Sequence, residues 1–124
     1  MSIAWVAAVR RTQAAAQDQC WREALRLAAA FRQAGAVRVI LFGSVARGDG
    51  SATSDVDLAV VMPHAHGQPV VGRGHDILLS VRPAVPVDLV IYSPEEWEQV
   101  QDRAFVREEV LAKGRDLIEW RHGS

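Results

Sequence analysis

Cysteine is almost missing from this sequence. Cys20 is the only one, so no disulfide can close within the chain and no multi-thiolate metal site can form. A reducing, cytoplasmic setting is the simplest one for such a chain. Long hydrophobic runs are also missing. The longest early apolar stretch, Ile3 to Val9, is too short to span a bilayer. Basic residues follow it rather than precede it, which is unlike a signal peptide. Excess charge of either sign is absent, because 14 Lys and Arg stand against 15 Asp and Glu, a net charge of -1. No global basic field therefore favours general nucleic-acid binding, although the plentiful Arg could still cluster locally. Repeats and low-complexity linkers are lacking too. What is present is ordinary globular composition, 49% hydrophobic and 23% charged over 124 residues, which by length suggests one domain with one core.

The first third is Ala-rich and reads as helix. Trp21, Ala24, Leu25, Ala28 and Phe31 recur at spacings of three and four and give one apolar stripe. Asp18 is placed to cap its start, and Gly35 to end it in a left-handed conformation. Ile3 to Ala16 carries a weaker helical pattern, either a separate helix or an extension of the next. Val37 to Phe42 is a nearly continuous apolar run, as in a central strand covered on both faces. Gly48 to Ser54 is small and polar, hence a loop. Asp55 to Met62 reads as a second strand, and Pro63 to Gly74, with two Pro and three Gly, as a loop. His75 to Val81 reads as a short helix ending before Pro83, and Pro86 to Tyr92 as a third strand. Ser93-Pro94-Glu95-Glu96 is a helix start, with an N-cap serine, proline at the first helical position and glutamate at the third. Phe105 to Lys113 is a further helical stretch ended by Gly114, and Arg115 to Trp120 fits a last short strand. The segments are then a helical 1–35, a core 37–92 and a C-terminal 93–124, all on one small sheet.

Three carboxylates stand out by position. Asp55 and Asp57, two apart on one strand, point to the same face with Cβ atoms roughly 7 Å apart. Such a pair converges readily on hard cations, and buried without one it would repel itself. Asp88 holds an equivalent place near the start of the third strand and closes a cluster if that strand neighbours the second. An Asp-x-Asp alone is common and is often a solvated turn. Gly43-Ser44 changes its weight. At a strand end, the glycine lets backbone approach a ligand, and Ser44 can open a helix whose N–H groups face phosphate. A phosphate cradle beside a carboxylate cluster is the minimum for metal-assisted phosphoryl chemistry.

Leu41-Phe42-Gly43-Ser44-Val45-Ala46-Arg47-Gly48, then Ser54-Asp55-Val56-Asp57-Leu58, then Val87-Asp88-Leu89, resemble the DNA polymerase beta-like nucleotidyltransferase superfamily. Its signature is Gly-Ser, ten residues, Asp-x-Asp, and a third Asp on a later strand, and every element is present at that spacing. The resemblance covers Val37 to Tyr92 closely and the C-terminal part loosely. It implies an α/β (α+β) fold, a small mixed β-sheet flanked by helices. It implies that Gly43 and Ser44 hold the triphosphate of ATP and that Asp55 and Asp57 ligate Mg²⁺ in a two-ion site. Asp88 would complete the metal site and help deprotonate the attacking hydroxyl, and Arg47 would reach phosphate or the transition state. The chemistry implied is in-line attack of a hydroxyl on the α-phosphate with pyrophosphate leaving, two cations about 3.5–4 Å apart stabilising the entering and leaving oxygens.

The short chain also looks like the minimal branch of that superfamily, similar to the antitoxin half of paired systems. The partner there is a small helical protein of the HEPN class (higher-eukaryote and prokaryote nucleotide-binding). Some such antitoxins neutralise the toxin by moving AMP from ATP to a tyrosine on it. An aminoglycoside-like small acceptor and a non-catalytic antitoxin acting by contact alone stay open beside this reading. A docking surface is expected on the N-terminal helix, with Trp5 and Trp21, and on the loop 63–74. Two further motifs carry less. His64-x-His66 lacks a third metal ligand, and Gly72-Arg73-Gly74-His75-Asp76 lacks the Lys-Ser or Lys-Thr of a phosphate loop.

Overall fold

A computed structural model describes residues 3–63 and 73–118, apart from the side chains of Ile3 and Trp5. One helix, α1 (Ile3–Gln33), runs for 31 residues. The stretch 3–16 is therefore an extension of the following helix. Asp18 does not cap a start: it lies inside α1, exposed, because no Gly or Pro interrupts the helical residues around it. The buried stripe is Cys20, Ala24, Leu27, Ala28 and Phe31. Leu25, expected on it, is 44% exposed, because the stripe is centred on Leu27, two residues further on. Gly35 ends the helix as expected, at φ 104 with Ala36 N–H donating to Phe31 O at 2.9 Å.

The sheet has the order β3-β2-β1-β4, built from β1 (Arg38–Phe42), β2 (Val56–Val61), β3 (Val87–Tyr92) and β4 (Arg115–Ile118). β1 pairs antiparallel with β2 and with β4, while β2 and β3 run parallel. A parallel pair needs a crossover, and α3 (His75–Val81) lies on the β2-to-β3 connection. Strand alternation sends Val39, Leu41, Val56, Leu58, Val60 and Ile91 toward α1, into the larger core cluster. Ile40, Ala59 and Val61 face the other way, onto Trp97 and onto Val106 and Val110. Both faces of the central strands are covered, which explains their unbroken apolar runs.

After β3, α4 (Pro94–Val100) starts with the full capping box: Ser93 Oγ accepts from Glu96 N–H and the Glu96 side chain accepts from Ser93 N–H. The helical stretch beginning at Phe105 is a π-helix over Val106–Ala112 rather than an α-helix. Gly114 then lies too close to Val110 O and Ile40 to carry a side chain. No described helix is long and apolar enough to cross a membrane.

Candidate active site

The site grows from the ends of three strands. β1 ends at Phe42, and the chain turns through α2 (Gly43–Ala46), which Gly48 closes at φ 82. Arg47 N–H donates to Gly43 O at 3.2 Å and Asp49 N–H to Ser44 O at 2.8 Å, so the turn is tightly wound. Gly43 adopts φ 77, and a Cβ there would overlap Asp57 Oδ2. The glycine is needed twice over, for its backbone conformation and for its closeness to a carboxylate.

Asp57 lies in β2 opposite Phe42 on one side and Asp88 on the other. In-register residues of a parallel pair share a face, so the two carboxylates project together, on the face that α4 and the π-helix cover further along. Asp57 is half-buried and Asp88 exposed, which places the pair at the edge of that cover. Asp55 lies one residue before β2 rather than within it, and it is exposed. The sequence placed it inside the strand. The strand begins later because Val56 N–H is the group that meets Pro86 O, at 2.9 Å.

Electrostatics tie the three together. Burial, then the charges of Asp88 and Asp55, push the Asp57 carboxyl above the ordinary carboxylate range, and only Arg47 pulls it down. Among the described residues no three His, Cys, Asp or Glu side chains form a ready-made metal cage. The donor set nonetheless suits a hard cation. It is all oxygen, one member is half-buried, and its charge is opposed by two other carboxylates. Asp57 and Asp88 are brought together by register, and Asp55 joins them through its field.

Ser44 is half-buried, and its hydroxyl donates to Ser54 Oγ at 3.3 Å. Ser54 Oγ also accepts from Ser51 N–H at 2.9 Å, which folds the loop back on the residue preceding Asp55. Arg47 is exposed and stands 3.8 Å from both Asp49 and Glu109, loose enough to release it toward an incoming anion. Phe105, the residue just before the π-helix, packs edge-on to Phe42 at 6.0 Å, where β1 enters the turn.

In sequence the family model of the nucleotidyltransferase domain matches residues 23–117, which include every one of these positions. The chain belongs to that family. In structure it is similar to a candidate nucleotidyltransferase from Sulfolobus solfataricus, at TM-score 0.53 and 26% identity over 70% of this chain and 78% of that one. No curated protein matches the chain. The mixed four-stranded sheet with its helices agrees with the polymerase beta-like fold expected from the motifs.

Several expectations concern other parts of this nucleotidyltransferase. His64 and His66 lie outside the described residues. Arg73, read as part of a loop or helix start, is buried and ion-paired to Glu96 at 2.5 Å, with a second bond to Ile91 O at 3.1 Å. Gly74, at φ 76, then caps α3. Nothing in the sequence marked Arg73 as an anchor, because its partners are 18 and 23 residues away. Trp21 is partly buried against the core, while the Trp5 side chain and residues 64–72 of the loop lie outside the described residues. A groove of about 510 Å³ between α1 and β4, lined by Leu25, Ala28, Arg32 and Leu117 among others, contains none of the site residues.

Proposed function

We propose that this nucleotidyltransferase moves AMP from ATP, with Mg²⁺, onto a hydroxyl of a partner protein, and that it serves in the cytoplasm as the antitoxin of a HEPN-type toxin. The observation that carries the catalytic part is the register of Asp57 with Asp88, with Gly43 backbone set against the Asp57 carboxylate. Asp55, Asp57 and Asp88 would hold the metal, which when bound neutralises the triphosphate and stabilises the leaving pyrophosphate. Gly43 lets backbone come close to the phosphates, and Ser44 offers its hydroxyl to them. Arg47, leaving Asp49 and Glu109, turns its guanidinium to the same oxygens. Asp88, exposed and in register with Asp57, accepts the proton of the attacking hydroxyl as its oxygen bonds to the α-phosphorus and pyrophosphate departs.

The partner part rests on the resemblance and on α1. None of the side chains described between Ala4 and Ala16 is buried, and Val6 is 37% exposed. A helix stretch of this length gains little stability by itself, which favours a protein that covers it. The test of the catalytic part is thermal. Mg-ATP at a hundred times its dissociation constant adds about 2.7 kcal/mol, and EDTA should remove most of the shift. No shift with millimolar Mg-ATP would overturn it.

A further inference from the structure

Gln17 sits on α1, far in sequence from the carboxylates, yet it grips the segment that joins them to the Gly43-Ser44 turn. Its Nε2 donates to Val45 O at 2.8 Å, and its Oε1 accepts from Gly50 N–H at 2.6 Å. A carbonyl can only accept and an amide N–H only donate, so these two partners fix which way the side-chain amide points. Gly50 is buried, and a Cβ on it would overlap Gln17 Oε1. Within the segment, Ser44, Ser51 and Ser54 are joined through Ser54 Oγ. Val45 adjoins Ser44, and Gly50 begins the run that delivers Ser54 and Asp55. One side chain therefore holds both arms of the loop without hydrogen-bonding either Ser44 or Asp55.

We propose that Gln17 is a positioning residue for the nucleotide site, setting Ser44 and Asp55 through Val45 and Gly50 in the arrangement that receives a metal-bound triphosphate. This rests on the nucleotidyl-transfer reading above. A loop containing Gly48 and Gly50 has much backbone freedom to lose, and without the clamp that ordering would draw on the binding free energy of the nucleotide. With the clamp in place, the loop is ordered before the ligand arrives.

Gln17→Met keeps the reach of the side chain and removes both hydrogen bonds, while Gly50→Ala displaces the same amide from the opposite side. Two measurements separate the possibilities. In ligand-free protein, hydrogen exchange at the Gly50 amide should quicken about tenfold or more in Gln17→Met. By calorimetry, either substitution should weaken Mg-ATP binding about tenfold, with the double variant no weaker than the worse single one, since both break one clamp. Unchanged Gly50 exchange overturns the clamp, whatever the nucleotide result. Faster exchange with wild-type Mg-ATP affinity, or affinity losses that multiply, overturns the positioning role and leaves Gln17 a purely structural residue. A wild-type protein that shows the protected Gly50 amide but no Mg-ATP binding overturns the nucleotidyl-transfer reading itself, and the positioning role with it.

Discussion

The backbone of Gly43 lies against the carboxylate of Asp57 so closely that no side chain fits between them. Gly43→Ala should therefore cost more than its left-handed φ of 77 alone, which for alanine is about 1–2 kcal/mol. Gly48 is the control. It has a similar φ of 82 but open space around its Cα, so Gly48→Ala should show the strain without the collision. We expect thermal unfolding to fall by roughly 3–8 °C for Gly48→Ala, and further for Gly43→Ala. Mg-ATP binding should survive the first and fail in the second. Equal effects of the two would show that the contact with Asp57 is unimportant.

Asp57 should behave as a residue kept for chemistry at the expense of stability. Its carboxyl is pushed up by burial first and then by Asp88 and Asp55, so the folded state holds the proton more tightly than the unfolded one. The stability this gives is present below the ordinary carboxylate range and is lost as pH rises through the raised value. At neutral pH without metal, Asp57→Asn should then melt at the same temperature as wild type or slightly higher, and the difference should shrink on acidification. Transfer of label from α-phosphate-labelled ATP should vanish. A variant that transfers label like wild type would remove Asp57 from the site.

The motif around Gly43, Asp55 and Asp57 could be read from the sequence because its parts are close together and chemically distinctive. Asp88 was legible only conditionally, since its role depended on β3 lying beside β2, and the parallel register supplies that. Gln17 and Arg73 were not legible. Much of their grip is on backbone groups, Val45 O, Gly50 N–H and Ile91 O, and backbone groups look alike in any sequence. The π-helix is legible only as helix, because the one-residue widening of its turns has no composition of its own. Leu25 is exposed and Leu27, two positions on, is buried for a related reason: periodicity finds a face but does not fix its centre when alanines fill both flanks.

Glu96 predicts an acid limb. The hydrogen bond from Arg73, then the bond from Ser93 N–H, holds its carboxyl at about 2 against an ordinary 4.5. A depressed value contributes stability above the unfolded pKa and loses it as pH falls through the folded one. Wild type should therefore lose stability progressively between about pH 4.5 and about 2. Glu96→Gln should melt lower at neutral pH and show a flatter acid limb, as measured by denaturant titration at a series of pH values. An unchanged limb would mean that the pairing with buried Arg73 does not persist in solution.

The partner proposal divides on one double variant. With the carboxylates at the edge of an apolar cover and much of α1 bare, acceptor specificity in this proposal comes from a docked surface rather than an enclosed pocket. We expect a stable complex with a small helical protein encoded beside it, and transfer of AMP to a hydroxyl of that protein. Asp55→Asn/Asp57→Asn removes two of the three carboxylates while leaving α1 untouched, so docking should persist and modification should stop. After co-expression, the intact mass of the partner should rise by one AMP or a multiple with wild type and stay unmodified with the double variant. If covalent transfer is what silences the partner, the variant complex should also leave it active. A partner that is bound and silenced by both proteins, yet unmodified by either, would reduce the chain to a contact inhibitor and make the carboxylate cluster irrelevant to that role.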